Sequence, residues 1–184
     1  MRIILASTSP RRKELIKKLS IEVDIVSPCC DENISGLFGA DYAMSIARRK
    51  AESVIGGIVV GADTVVIIGN EILGKPRSDE DAEVMFRKLC GATHSVITGL
   101  CVKTQKRSMV SSCTSSVTFK PYDANIVREY IKSGKSRDKA GAYGIQDEEI
   151  MRLTEKIDGE IDNIIGLPVK LLDKMLKTVT NEKT

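Results

Sequence analysis

Hydrophobic and polar residues follow two different periods along the first fifty positions. Short apolar runs closed by polar residues predict buried strands, whereas apolar side chains at intervals of three and four predict helices. The inward positions of the second helix are expected to be Met44, Ala47 and Ala51. The predicted order is a strand at residues 2–7, a helix at 10–19, a strand at 22–28, a loop at 29–39 and a helix at 41–54.

The same two periods continue through the rest of the chain, with turn and capping residues between the segments. Gly69-Asn70 suits a tight turn because both residues tolerate a positive φ. Ser78 and Asp123 are suited to begin helices, and Gly91 is suited to end one. The predicted order is two strands within residues 57–73, a helix at 77–91, a strand hairpin at 94–120, a helix at 123–134, short strands within 149–168 and a helix at 168–179.

Strands and helices mix without strict βαβ alternation, so we expect a mixed-sheet α/β (α+β) protein with one continuous core. A length of 184 residues suits one domain, or two lobes that share a core. We therefore expect a single domain over residues 1–184, with a frayed tail at 179–184.

Composition narrows the class of function. Aromatic residues make up 4% of the chain, Trp is absent and the net charge is +3, which argues against a nucleic-acid partner. Five cysteines, an odd number with no CxxC spacing, indicate free thiols in a reducing compartment. The single His94 excludes a histidine-rich metal site, and we expect it to be structural. No apolar run approaches 18 residues, so we expect no membrane partner and a cytoplasmic location.

Two arginines stand where the first helix should begin, in "LASTSPRRKEL". Cations at a helix N-terminus are disfavoured by about 0.3–1 kcal/mol each, because the helix dipole is already positive there. Either Arg11 and Arg12 are solvated, or they hold an anion such as a phosphate together with nearby Ser7. On the second reading, Arg12→Ala should leave the unliganded protein as stable as before, or slightly more stable.

Asp63 stands within the apolar segment "VVGADTVVII" and is the strongest candidate for chemistry. A carboxylate in such a strand must be paired, bound to a metal or protonated, because an isolated buried charge is very costly. Thr64 should face the opposite side of the strand unless the strand ends there. Asp31 and Glu32 form an acidic pair in a loop; near Asp63 they would supply hard oxygen ligands for Mg²⁺ or Mn²⁺.

Three further polar residues could bind a ligand or could simply be surface residues. They are Lys50 in "ARRKA", Lys75 in "LGKP" and Gln146 in "DKAGAYGIQ". Gln146 has both a donor and an acceptor with which to read a base edge, but the small residues around it also suit a packed turn. The Walker A and GxGxxG patterns are absent from the sequence, which removes support for those nucleotide folds and disfavours a phosphotransferase.

Taken together, the motifs resemble the Maf family of nucleoside triphosphate pyrophosphatases, historically called septum formation inhibitor proteins. The stretches that match occur in the family's order and span nearly the whole chain: "LASTSPRR", "DEN", "ARRKA", "GADTVV", "LGKP", "TGL", "DKAGAYGIQ" and "NIIGLP". The resemblance implies an elongated mixed-sheet fold, like that of inosine triphosphate pyrophosphatases, with a cleft between two lobes. It also implies a homodimer.

The resemblance implies metal-dependent hydrolysis of dTTP and UTP to the monophosphate and diphosphate. Asp63 matches the proposed general base and metal ligand, and Glu32 matches a carboxylate near the metal. The positions that match substrate-binding residues are Ser7, Arg11, Arg12, Lys50, Thr64, Lys75 and Gln146. Among these, Arg11, Thr64 and Gln146 match positions linked to base selection.

Two departures from the family pattern border the expected base pocket. Lys135 stands where the family usually has Glu, and Asp147, Glu148 and Glu149 stand where glycine-rich residues are usual. They leave 7-methyl-GTP or another modified nucleotide open as the substrate. A different class of function also stays open at this point: a non-catalytic regulator of cell division that binds nucleotide or nucleic acid.

Overall fold

The computed structural model describes residues 1–32 and 34–181, and seven strands and seven α-helices lie within that range. The strands are β1 (Arg2–Ala6), β2 (Glu22–Val26), β3 (Val59–Ile68), β4 (Glu71–Leu73), β5 (Thr93–Lys103), β6 (Ser108–Phe119) and β7 (Thr154–Asp158). The helices are α1 (Pro10–Leu15), α2 (Gly39–Glu52), α3 (Asp79–Leu89), α4 (Ala124–Lys132), α5 (Glu148–Leu153), α6 (Ile161–Ile165) and α7 (Val169–Asn181).

The strands form one open mixed sheet in the order β2-β1-β3-β5-β6-β7, with β4 paired to β3. β1 runs parallel to both β2 and β3, whereas the β3–β4 and β6–β7 pairs are antiparallel. This mixed pairing, with helices flanking the sheet, confirms the predicted α/β class. The expected elongation and cleft stay predictions.

The chain divides into two compact units. The first unit comprises residues 1–64, 98–113 and 162–184, and the second comprises residues 65–97 and 114–161. The single domain expected over residues 1–184 stays a prediction.

In the first unit, strand alternation sorts side chains between two apolar clusters. The cluster that packs with α1 and α7 takes the odd residues Ile3 and Leu5 from β1 and the even residues Val60 and Ala62 from β3. The other cluster contains Ala47 and Ala51 of α2 and takes the strand positions of opposite parity. Residues of β3 therefore point alternately toward α1 and α7 or toward α2, and this alternation determines where the polar residues that follow Ala62 can reach.

The second unit is built around buried aromatic rings. The rings of His94, Phe119 and Tyr143 lie edge to face, with centroids 4.9–5.4 Å apart. A similar contact joins Phe86 of α3 to Tyr130 of α4 at 5.9 Å. His94 is buried, and its Nε2 lies 2.8 Å from the Tyr143 hydroxyl oxygen, so the structural role expected for this histidine fits its surroundings.

Two predicted segments differ from the structure. The first helix tightens into a 3₁₀ turn over Ile16–Leu19 instead of remaining α-helical. Short strands were expected within residues 149–168, but the structure has α5, β7 and α6 there. Ile150 and Leu153 are both buried, and this spacing of three places them on one helical face; so short an apolar pattern does not separate helix from strand.

The last helix extends further than expected. α7 continues to Asn181 and Val179 is buried within it, so the tail expected at 179–184 is helical over its first residues. Residues 182–184 of that tail, and Asn33 of the "DEN" stretch, lie outside the described residues. Across the described part of the chain, none of the helices combines the length and the apolar character needed to cross a bilayer.

Candidate functional site

Two serine side chains accept hydrogen bonds from backbone N–H groups at the start of α1, where the sequence suggested an anion-binding site. Ser7 is buried and its Oγ accepts a hydrogen bond from the Ser9 N–H at 3.2 Å. Ser9 is the N-cap, and its Oγ accepts from the Arg12 N–H at 3.5 Å. α1 is also only six residues long. An anion at this turn would therefore depend on side chains more than on backbone N–H groups.

The guanidinium of Arg12 is held by the protein and is not simply solvated. Its Nε donates to the Gly166 carbonyl oxygen at 2.8 Å, and its Nη2 donates to Thr64 Oγ1 at 3.0 Å. Burial lowers the pKa of Arg12, while the negative charge of Asp63 acts in the opposite direction. These bonds argue against the expectation that Arg12→Ala leaves the unliganded protein as stable as before or slightly more stable. Arg11 is half-buried beside it in α1.

Asp63 and Glu32 share one ammonium group. Lys50 Nζ lies 2.8 Å from Asp63 Oδ1 and 2.9 Å from Glu32 Oε2. The Lys50 and Asp63 side chains are 9% and 14% exposed, whereas Glu32 is 56% exposed, so the cluster is closed at Asp63 and open at Glu32. The structure thus brings together three of the predicted site residues, with the Lys50 ammonium lying between the carboxylates of Asp63 and Glu32.

Helix α2 holds this cluster in place. Its residues Tyr42 and Arg49 donate to the backbone carbonyls of Glu32 and Asp31, at 3.3 and 3.0 Å, and dock the acidic loop. A Cβ added at Gly61 of β3 would lie 2.1 Å from the Ala47 carbonyl oxygen, so the helix backbone rests directly on the strand. This close approach brings Lys50 within reach of Asp63.

The opposite orientation expected for Thr64 is confirmed. Asp63 contacts Lys50 of α2, whereas Thr64 contacts Arg12 of α1, and the two helices pack with different apolar clusters. Asp63 and Thr64, adjacent in β3, therefore belong to two different groups of interacting side chains.

Lys75 and Gln146 belong to the second unit, and both are exposed. The segments that carry them are tied together by the Gly141 N–H, which donates to the Gly74 carbonyl oxygen at 2.9 Å. Gly141 has a φ of +68°, and an added Cβ would lie 3.0 Å from the side chain of Val66, so a side chain at this position would be strained. Their predicted roles in substrate binding stay predictions.

A buried tyrosine, Tyr130, anchors the segment on both sides of Gln146. Tyr130 donates its hydroxyl proton to Asp147 Oδ2 at 2.6 Å and accepts from the Gly144 N–H at 3.0 Å. Lys139, buried within the same segment, lies 3.8 Å from Asp147 and also donates to the Lys135 carbonyl oxygen. Burial and the neighbouring Asp147 raise the pKa of Tyr130 well above its usual range.

The two departures from the family pattern are paired with each other. Lys135 Nζ lies 2.8 Å from Glu149 Oε1, and this ion pair raises the pKa of Lys135 and lowers that of Glu149. Lys135, which replaces the family's usual glutamate, is thus neutralised by Glu149, which stands where glycine-rich residues are usual.

Two contacts within the motifs that match the family were not predicted from the sequence. Thr98 of "TGL" accepts from Thr64, and Gly166 of "NIIGLP" receives the Arg12 Nε–H. Both residues could have been noticed in the sequence, because Thr98 is a polar residue in an apolar strand and Gly166 is a glycine directly before Leu-Pro. However, neither residue carries a charge that would suggest chemistry.

The residues present fit a divalent cation of the kind that the resemblance implies. In the described part of the chain, no three His, Cys, Asp or Glu side chains gather into a metal-binding group. Mg²⁺ is commonly held by one or two carboxylates, with substrate phosphates and water completing its shell. Asp63 and Glu32, which both contact the Lys50 ammonium, are such a pair.

Residues 2–179 match the family model described as Maf-like protein. The chain belongs to the Maf family. Curated Maf relatives cover nearly all of it and carry the name dTTP/UTP pyrophosphatase. The protein of Aquifex aeolicus is 38% identical over 96% of this chain and 95% of its own length. Those of Ruminiclostridium cellulolyticum and Thermosipho africanus are 40% and 42% identical, over 98% and 92% of this chain and 97% and 88% of their own lengths.

Proposed function

We propose that this chain hydrolyses dTTP and UTP to the corresponding monophosphates and diphosphate. Relatives that match it nearly from end to end carry the name of that activity. The observation that carries the proposal to this chain is the sharing of Lys50 between Asp63 and Glu32. Burial lowers the pKa of the Arg12 guanidinium, which Thr64 holds, and the negative charges of both carboxylates act on that pKa in the opposite direction. Phosphoryl transfer needs this combination of carboxylates and cations, because positioning and charge neutralisation supply most of its catalysis.

Asp63 accepts the proton of the attacking water in this proposal. Its carboxylate is oriented through Oδ1 by Lys50 on a rigid strand, as a general base must be. Asp63 and Glu32 would hold Mg²⁺ or Mn²⁺, which supplies polarisation of the phosphate when bound. Lys50 keeps the two carboxylates together and balances one of their charges.

Arg12, with Arg11 and Ser7 nearby, binds the phosphates. The guanidinium of Arg12 uses Nε and Nη2 within the protein, which leaves its other N–H groups for phosphate oxygens. Thr64 accepts from this guanidinium and directly follows Asp63 in the chain, and so joins the phosphate contacts to the site of water attack.

The direct test is to incubate the protein with dTTP and UTP in Mg²⁺ or Mn²⁺ and to follow diphosphate and monophosphate by ³¹P NMR. We expect both products in equal amounts. A panel that includes 7-methyl-GTP tests the open choice of nucleotide, and absence of diphosphate release across the whole panel would reject the proposal. A non-catalytic regulator would bind nucleotide without releasing diphosphate.

Asp63→Asn should abolish turnover while leaving the fold intact. The matched control is Asp24→Asn, which alters a partly exposed aspartate of β2 that pairs with Arg2. Full activity in the Asp63 variant would remove that residue from the mechanism. The roles of Lys75 and Gln146, the metal, the homodimer and the cytoplasmic location stay predictions.

A further inference from the structure

A chain of hydrogen bonds runs from Arg12 into the sheet. Arg12 Nη2 lies 3.0 Å from Thr64 Oγ1, and Thr64 Oγ1 lies 2.9 Å from Thr98 Oγ1 on the neighbouring strand β5. Thr98 Oγ1 in turn lies 3.0 Å from the carbonyl oxygen of Asn163. Thr98 is completely buried.

Counting protons gives this chain a single direction. The Asn163 carbonyl can only accept a hydrogen bond, so Thr98 donates its one hydroxyl proton to it. Thr98 must then accept from Thr64, and Thr64 must donate to it. The guanidinium can only donate, so Thr64 Oγ1 accepts from Arg12, consistent with the first two steps.

We propose that Thr98 is a positioning residue for phosphate binding, which rests on the function proposed above. Because Thr98 draws the Thr64 proton inward, a Thr64 lone pair stays aimed at Arg12. Together with the Gly166 carbonyl, which holds Nε, this fixes the plane of the guanidinium at two points. Without the Thr98 hydroxyl, the Thr64 proton has to find another acceptor, and the rotation that this requires turns the lone pair away from Arg12.

The test compares Thr98→Val, which keeps the shape and removes the hydroxyl, with Thr98→Ser, which keeps the hydroxyl. The matched control is Thr118→Val, because Thr93 of β5 and Thr118 of β6 form another pair of threonine hydroxyls on neighbouring strands, at 2.8 Å, but this pair is exposed. For Thr98→Val we expect the KM for dTTP to rise about tenfold, the effect of about one hydrogen bond, with kcat within about twofold. Thr98→Ser and Thr118→Val should keep the KM of the unaltered protein.

A second readout does not need activity. In the unaltered protein without nucleotide, a guanidinium held at Nε and Nη2 rotates slowly about its Nε–Cζ bond. Arg12 should then show separate Nη1 and Nη2 signals in ¹⁵N NMR, assigned by their loss in Arg12→Lys. The two signals should merge in Thr98→Val and stay separate in Thr98→Ser.

The outcomes distinguish the two proposals. If no nucleotide is hydrolysed, the proposed function fails, while the NMR signals still decide whether Thr98 positions Arg12. Separate signals in Thr98→Val, or an unchanged KM, would overturn the role of Thr98. Should Thr98→Val fail to fold, Thr98→Ala is measured in the same way.

Discussion

Gly61 is the point where helix α2 touches the sheet most closely, and replacing it with alanine tests how the site is assembled. The added Cβ would lie 2.1 Å from the carbonyl oxygen of Ala47 and 2.8 Å from the backbone nitrogen of Ala51. Both atoms belong to the backbone of α2, so no side-chain rotation can relieve the overlap. Real Cβ atoms essentially never approach another heavy atom within 3.0 Å, so the helix must withdraw by about 1 Å.

The withdrawal should reduce both stability and turnover. Overpacking of this kind costs about 1–3 kcal/mol, and we expect the upper half of that range because backbone atoms are involved. In a domain of this size that lowers Tm by about 5–10 °C. Lys50 moves with α2 and away from Asp63, and a displacement of about 1 Å near a reacting group can reduce kcat by about 100-fold.

Thermal unfolding and the rate of diphosphate release measure the two effects. The control is Gly57→Ala, because a Cβ at Gly57 meets no atom within 4 Å and should change stability by less than about 0.5 kcal/mol. Gly99→Ala should behave like Gly61→Ala, since its Cβ would lie 2.3 Å from the Ala43 backbone. If Gly61→Ala unfolds at the same temperature as Gly57→Ala, close packing of α2 does not hold the site together.

The remaining predictions concern protons and hydrogen bonds. Burial lowers the pKa of His94 to about 4. Between that pH and about 6.5, His94 is therefore protonated in the unfolded chain but neutral in the folded protein. Stability should therefore fall as the pH drops below about 6.5, by about 2 kcal/mol at pH 5; urea unfolding at pH 7 and pH 5 checks this, and His94→Gln should flatten the difference. Arg12→Ala should destabilise the unliganded protein by about 2 kcal/mol, because two hydrogen bonds outweigh relief of the helix dipole; equal or higher stability in calorimetry would contradict this. Tyr130→Phe should cost about 1–3 kcal/mol in urea unfolding, because it leaves Asp147 and the Gly144 N–H without their shared partner, whereas Tyr122→Phe, at a half-buried tyrosine, should cost less.

Local patterns were sufficient for most of the secondary structure. The Gly69-Asn70 turn, the Ser78 and Asp123 caps and the alternation of β3 were all read correctly from the sequence. They depend on neighbouring residues, whose side chains either satisfy the backbone or face one side of a strand. The segment at 149–168 was misread because its apolar residues are too few to distinguish a helical period from a strand period.

The candidate site was predictable as a set of residues but not as a set of contacts. An Asp in an apolar strand had to have a partner, and the alternation of β3 put Thr64 on the other face. Nothing local to Asp63 chose Lys50, thirteen positions earlier, as that partner. The choice follows from the approach of α2 to Gly61.

The sequence by itself determined most of the strands, the helix caps, the candidate charged residues and the family to which the chain belongs. The tertiary structure decided that Arg12 reaches Gly166, 154 positions away, and that Thr98 sets the direction of the hydrogen bonds between Thr64 and Asn163. The physical reason is that a hydrogen bond needs its two atoms within about 3 Å, whereas distant segments reach that separation only through the packing of the whole unit.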